Sequence, residues 1–208
     1  MRDLPIIFTG TNPRAIIEGR KTVTRRIIKP QRIYTGEILA PEQVAREHCA
    51  MTCAIRYPYG KTGDMLWVRE GFRVWQGPAI DGEPLDPGIV KGPLRDLDQE
   101  WLRSRPIEYR ADTLDAGPWR SPRFMPRWAS RIALRNLSVT ADRLQDITEE
   151  EAIAEGVDLS GPVGNIAAMQ RMGPARYSFA TEWERLHGEG AWERNELVWR
   201  IEFRREAP

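Results

Sequence analysis

The segment Gly19-Arg20-Lys21-Thr22-Val23-Thr24-Arg25-Arg26 packs one amine, three guanidinium groups and two hydroxyls into eight residues. An amine beside a threonine hydroxyl can act as a general base when burial lowers its pKa. In an unbroken strand, Lys21 and Thr24 would point to opposite faces, so they converge only if the chain bends between them. The same run also suits a solvated, basic strand edge that discourages aggregation. Glu155 is a second oddity. It ends a helix whose first turn already carries Glu149, Glu150 and Glu151, and the carbonyl end of a helix disfavours a carboxylate. A nearby cation would remove that penalty and have its own pKa raised; an exposed glutamate chosen for helix propensity is the other reading. Trp67 and Arg69 fall two apart on one strand, an arrangement that can stack on a nucleobase or form a core indole with a rim arginine.

Other chemistries find little to work with. His48-Cys49 with Cys53 falls short of a zinc site, because the second histidine, His187, lies in a distant segment. No phosphate loop, dinucleotide fingerprint or Gly-x-Ser-x-Gly elbow is present. With two histidines in the whole chain, an enzymatic base falls to Lys, Asp or Glu, and no metal is expected.

The elements that must position these residues follow from pattern. Leu4–Phe8 predicts a short buried strand, and Asn12-Pro13 a helix start with Asn12 as cap, closed by Gly19. Thr22–Ile28 predicts a second strand, residues 41–48 a short helix, and Gly63-Asp64 a turn into the strand Met65–Val68. Four Gly and four Pro between Gln76 and Leu94 predict a loop, as does Gly161–Gly173. Strands are expected over Ile107–Arg110, Ser130–Val139 and Leu197–Phe203, with helices over Thr148–Ala154 and Ser178–Leu186. Thr148 with Glu151 forms a capping box. Strands at both ends suggest a small mixed barrel whose last strand returns beside the first.

The chain has 208 residues, 41% hydrophobic and 29% charged, which fits one globular domain. A formal charge of +1 gives no global field for nucleic acid or membranes. Two cysteines predict no disulfide framework and a reducing compartment, so the expected location is cytoplasmic. The apolar runs are too short for a signal peptide or a transmembrane helix. Only four lysines occur (Lys21, Lys29, Lys61, Lys91), so an amine retained among so many arginines draws notice.

Five ordered blocks together carry a resemblance. These are Arg14–Arg26, Tyr57–Glu70, Met125–Ile132, Leu144–Val157 and Val198–Phe203. They resemble ASCH domains of the PUA-like superfamily, in particular the longer members found in phages and prophages. The resemblance implies an α+β fold: a small, partly open β-barrel flanked by helices, with two long Gly/Pro-rich excursions. It would be one domain over 1–208 with insertions at about 76–120 and 157–177. The family is associated with RNA or modified nucleobases. Its best-defined enzymes are short bacterial hydrolases of N4-acetylcytidine and related N4-acylcytosines, using a Lys, a Thr and a Glu.

By motif position these three correspond to Lys21, Thr24 and Glu155, and Arg26 matches the later arginine of the opening block. The implied chemistry is amide hydrolysis without metal or cofactor. Lys21 is the base, Glu155 its orienting partner, and Thr24 either attacks the acyl carbonyl or activates a water. Backbone N–H groups after Gly19 would stabilise the oxyanion. The chain departs from the short hydrolases in its length and in carrying Trp67 and Glu70 after the Thr-Gly-Asp turn, so Arg26, Trp67, Arg69 and Glu70 are the expected substrate contacts. Two alternatives stay open. One is a non-catalytic reader of RNA or a modified base, with Arg25, Arg26, Arg127 and Arg131 as a local cationic patch. The other is an RNA-cleaving member of the same family.

Overall fold

The computed structural model describes residues 1–49, 55–75, 90, 93–113, 117–160 and 164–206. The first half of the chain forms β1 (Asp3–Ile7), α1 (Asn12–Ile17), β2 (Val23–Ile27), β3 (Gln31–Arg32), β4 (Ile38–Leu39), α2 (Pro41–Cys49), β5 (Met65–Arg69) and β6 (Phe72–Val74). The second half adds α3 (Gln99–Arg103), β7 (Ile107–Tyr109), β8 (Ala133–Arg143), α4 (Glu149–Ala154), α5 (Ile166–Met172), α6 (Pro174–His187) and β9 (Leu197–Glu206), with short 3-10 turns between.

Five strands make one mixed sheet in the order β1-β5-β8-β9-β2, with β1 parallel to β5 and the other pairs antiparallel. The closing strand does not return beside the first. β9 is flanked by β8 and β2: it pairs with β8 along Leu197–Glu206 and with β2 along Val198–Glu202, and Trp199, Ile201 and Phe203 are buried on its core face. Among the described residues no ladder joins the edge strands β1 and β2, so the barrel is not closed. The gap is spanned instead by a side chain: Arg26 Nη2 donates to the Ile7 carbonyl at 2.6 Å, with its guanidinium 5.0 Å from the Phe8 ring.

Alternation in β2 sorts its residues between two cores. Thr24 and Arg26 are opposite Ile201 and Trp199 in register, towards the main core of Ile6, Phe8, Leu66, Leu134 and Phe203. Val23, Arg25 and Ile27 take the other face, where Leu144, Ile147, Ala152, Phe179 and Trp183 pack α4 and α6 on the sheet. A third cluster around Phe72, Val74, Leu102 and Met125 supports the β6–β7 hairpin.

Two local expectations need correction. The cap position of α1 is Thr11, and Asn12 lies in the first turn, its Nδ2 donating to the Thr9 carbonyl at 3.1 Å. The stretch expected as loop over Gly161–Gly173 contains α5, because Asn165 Oδ1 accepts from Ala168 N at 2.9 Å and starts a helix. Residues 76–89, 91–92 and 161–163, Cys53 and the Cys49 side chain lie outside the described residues.

Candidate functional site

The bend between helix and strand is built from backbone hydrogen bonds. Gly19 takes φ +76°, Arg20 N and Lys21 N both donate to the Ala15 carbonyl, and Thr22 N donates to Ala154 O at 2.8 Å. Lys21 thereby pairs with Glu155 in an isolated antiparallel bridge before β2 begins. The bend brings Lys21 and Thr24 to one cavity, which the strand period alone would forbid. It also overturns one expectation: Gly19, Arg20, Lys21 and Thr22 N–H groups are all consumed by carbonyls, so this bend offers no oxyanion donors.

Lys21 and Glu155 form a buried ion pair, with side chains 4% and 5% exposed. Lys21 Nζ donates to Glu155 Oε2 at 2.6 Å and to the Glu155 carbonyl at 2.6 Å. The carbonyl end of α4 and the carboxylate thus meet one ammonium, which removes the electrostatic objection to Glu155 at that position. Burial pushes the Lys21 pKa below the ordinary lysine value; Glu155 opposes this, and the charges of Arg26 and Arg25 reinforce it. The carboxylate alone would have raised the lysine, and desolvation outweighs it.

Gly156 makes this approach possible. It adopts φ +76°, and a Cβ there would lie 2.9 Å from the Lys21 Cβ and 3.3 Å from the Ala15 Cβ. Gly156→Ala is expected to destabilise the fold by about 2 kcal/mol through left-handed strain and this clash. Chemical denaturation checks it: an unchanged midpoint would contradict the close approach.

Thr24 is 4% exposed and lines the same cavity, of about 500 Å³, within the range of small-molecule sites. Arg26 also lines it; burial lowers the Arg26 pKa, and its Nε finds no acceptor among the described residues. Arg25, its sequence neighbour, also borders the cavity, but its guanidinium is taken up by Glu151 and Glu155. Its side chain is 1% exposed, with Nη1 3.3 Å from Glu155 Oε1 and Nη2 2.5 Å from Glu151 Oε2. Of the expected cationic patch, Arg25 and Arg26 border the cavity and the other two arginines do not. Arg127 pairs with Asp3, and Arg131 with Glu70 and Asp112.

Sequence reasoning missed the opposite wall. Phe179 and Trp183, one turn apart on α6, face the cavity, and Trp183 Nε1 finds no acceptor among the described residues. Their i, i+4 spacing marked an apolar helix face, but nothing local showed that the face borders a cavity.

Trp67, Arg69 and Glu70 are not brought to this cavity. Trp67 is 7% exposed, with the Arg69 guanidinium 4.6 Å from its ring and that of Arg127 at 5.8 Å. Glu70 borders a second, smaller cavity and is held by Arg131 through two contacts of 3.0 Å. Burial raises the Glu70 pKa, against the pull of Arg131, whose own pKa the pair raises despite burial. Arg131→Met is expected to destabilise the fold by about 3 kcal/mol, because Glu70 would be left as a buried, unpaired carboxylate. A raised folded pKa means the folded state holds its proton longer, so the loss should grow from pH 5 to pH 8 in denaturation curves. A loss independent of pH would contradict this.

No group of His, Cys, Asp and Glu among the described residues could hold a metal ion, and none of their helices is long and apolar enough to cross a membrane. The fold and site define an α+β protein with an unclosed five-stranded sheet and a buried Lys–Glu pair at a cavity of about 500 Å³. No protein-family model and no curated protein matches the chain. Among solved structures it is similar to an ASCH domain from Lactobacillus crispatus JV V101, with a TM-score of 0.34 and 11% identity, over 98% of this chain and 79% of that one.

Proposed function

We propose that the protein is an ASCH-type amidohydrolase that removes the acyl group from N4-acetylcytidine or a related N4-acylated cytosine nucleoside, free or within RNA. The observation that carries this reading is the buried Lys21–Glu155 pair opening on the cavity that Thr24 also lines. Desolvation gives Lys21 the lowered pKa a base requires.

In the proposed reaction, neutral Lys21 takes the proton from Thr24 Oγ1 as that oxygen bonds to the N4-acyl carbonyl carbon. Arg26 meets the negative charge on the tetrahedral oxygen, the role that the backbone of the bend cannot fill. Collapse breaks the C–N4 bond, and the Lys21 ammonium returns its proton to N4, so cytidine leaves and Thr24 carries the acyl ester. Water then attacks the ester with Lys21 again as base, and the carboxylic acid departs as Thr24 recovers its proton. Glu155 orients the amine and balances its charge throughout. Phe179 and Trp183 provide a wall for the base, with Trp183 Nε1 available as a donor.

The test is an acid quench of the wild-type chain during turnover of N4-acetylcytidine, followed by peptide mass analysis. An acetyl group on the peptide containing Thr24, retained in Thr24→Ser and lost in Thr24→Ala, is the expected result. Equal cytidine release by wild type and Thr24→Ala would overturn the assignment. Binding of the nucleoside by folded protein without release would favour the reader.

A further inference from the structure

We propose that Arg25 is a positioning residue of this site, holding Glu155 and carrying a fixed positive charge that allows Lys21 to give up its proton. The inference rests on the reading of Lys21 as a base. Glu155 has two carboxylate oxygens with separate partners: Oε2 takes Lys21 Nζ at 2.6 Å, and Oε1 takes Arg25 Nη1 at 3.3 Å. Arg25 is anchored in turn by Glu151, whose Oε1 also holds Arg200 at 2.7 Å. Lys21, Arg25 and Glu155 are all buried, so their charges act on one another with little screening.

The consequence follows from charge balance. If Lys21 alone neutralised Glu155, deprotonation would strand a buried carboxylate, and the pair would keep its proton. A guanidinium does not deprotonate in this range, so Arg25 keeps Glu155 neutralised in both protonation states of Lys21. The groups facing Lys21 are Glu155 from the end of α4, Arg26 and Arg25 from β2, and the Phe8 ring, just past β1, with its centroid 5.9 Å from Nζ. Of the two arginines, only Arg25 touches the carboxylate.

The experiment titrates Lys21 directly in the full chain, using lysine labelled with carbon-13 at the ε position; with four lysines, single Lys→Arg variants assign the signals. In Arg25→Gln the Lys21 midpoint should rise by roughly one pH unit, as expected for loss of a close like charge. In Glu151→Gln it should fall, because a negative charge leaves while a glutamine still serves the capping box. Arg25→Lys should return the midpoint towards wild type while lowering kcat, since a single ammonium cannot hold both carboxylates. A purely structural role would move both charge-removing variants in the same direction, and that result, or an unmoved midpoint in folded Arg25→Gln, would overturn the proposal. Should Arg25→Gln fail to fold, Glu151→Gln and Arg25→Lys decide: a midpoint that does not fall in the former sinks it. The titration is independent of substrate. Absence of cytidine release would sink the amidohydrolase reading, while the opposed shifts would still establish the Arg25–Glu155 coupling.

Discussion

Lys21→Met is expected to release cytidine from N4-acetylcytidine about a thousandfold more slowly than wild type, at the scale of losing a general base. The fold should survive. Methionine matches the lysine stem in length and flexibility, and Glu155 would still have Arg25 as its partner. The loss should appear in kcat, since the amine acts on the reacting proton and its removal leaves the aromatic wall intact. In wild type, kcat should rise with pH through a midpoint below the ordinary lysine value, because the neutral amine is the active form and burial lowers its pKa. A folded Lys21→Met protein that retains a tenth of the wild-type rate would contradict the assignment.

Glu155→Gln should impair both stability and rate. The side chain is 5% exposed and serves two cations, so its neutral isostere leaves Lys21 without an anion and Arg25 with Glu151 alone. Breaking one side of such a network is expected to cost about 3 kcal/mol. For a chain of this size that is roughly 6–12 °C in Tm. The sign of the pH dependence is fixed. Lys21 has a lower pKa folded than unfolded, so the folded state binds fewer protons between those values and stability rises with pH. Without Glu155 the folded pKa falls further, and the window extends to lower pH. Thermal scans should therefore show the variant losing most against wild type on the acidic side. A difference that shrinks with acidification would contradict this account.

Much of the candidate site was legible because its residues announce themselves locally. Lys21 and Thr24 share one short segment, and Glu155 sits where a helix end disfavours it. The capping box of Thr148 and Glu151 formed as its spacing required. What the sequence hid was direction. Arg25 and Arg26 are neighbours, yet the strand period sends one into the Glu151–Glu155 network and the other across the sheet opening to Ile7. Trp67 and Arg69 do share proximity, but they stack on one another and not at the cavity. Global placement was hidden too: β9 reads as a strand from its pattern, while its place between β8 and β2 depends on pairings far apart in sequence. Helix α5 was obscured by the glycines that bracket it, although Asn165 is its start signal. The wall built by Phe179 and Trp183 is visible only once α6 is packed on the sheet.

The central claim is that a buried Lys–Thr–Glu site breaks the N4-acyl amide. The most direct measurement is cytidine and acetate release from N4-acetylcytidine by the wild-type chain, followed by chromatography alongside nucleoside binding by calorimetry. The account predicts the two products in equal amounts, with repeated turnover in metal-free buffer. A folded chain that binds the nucleoside and releases neither product would contradict it.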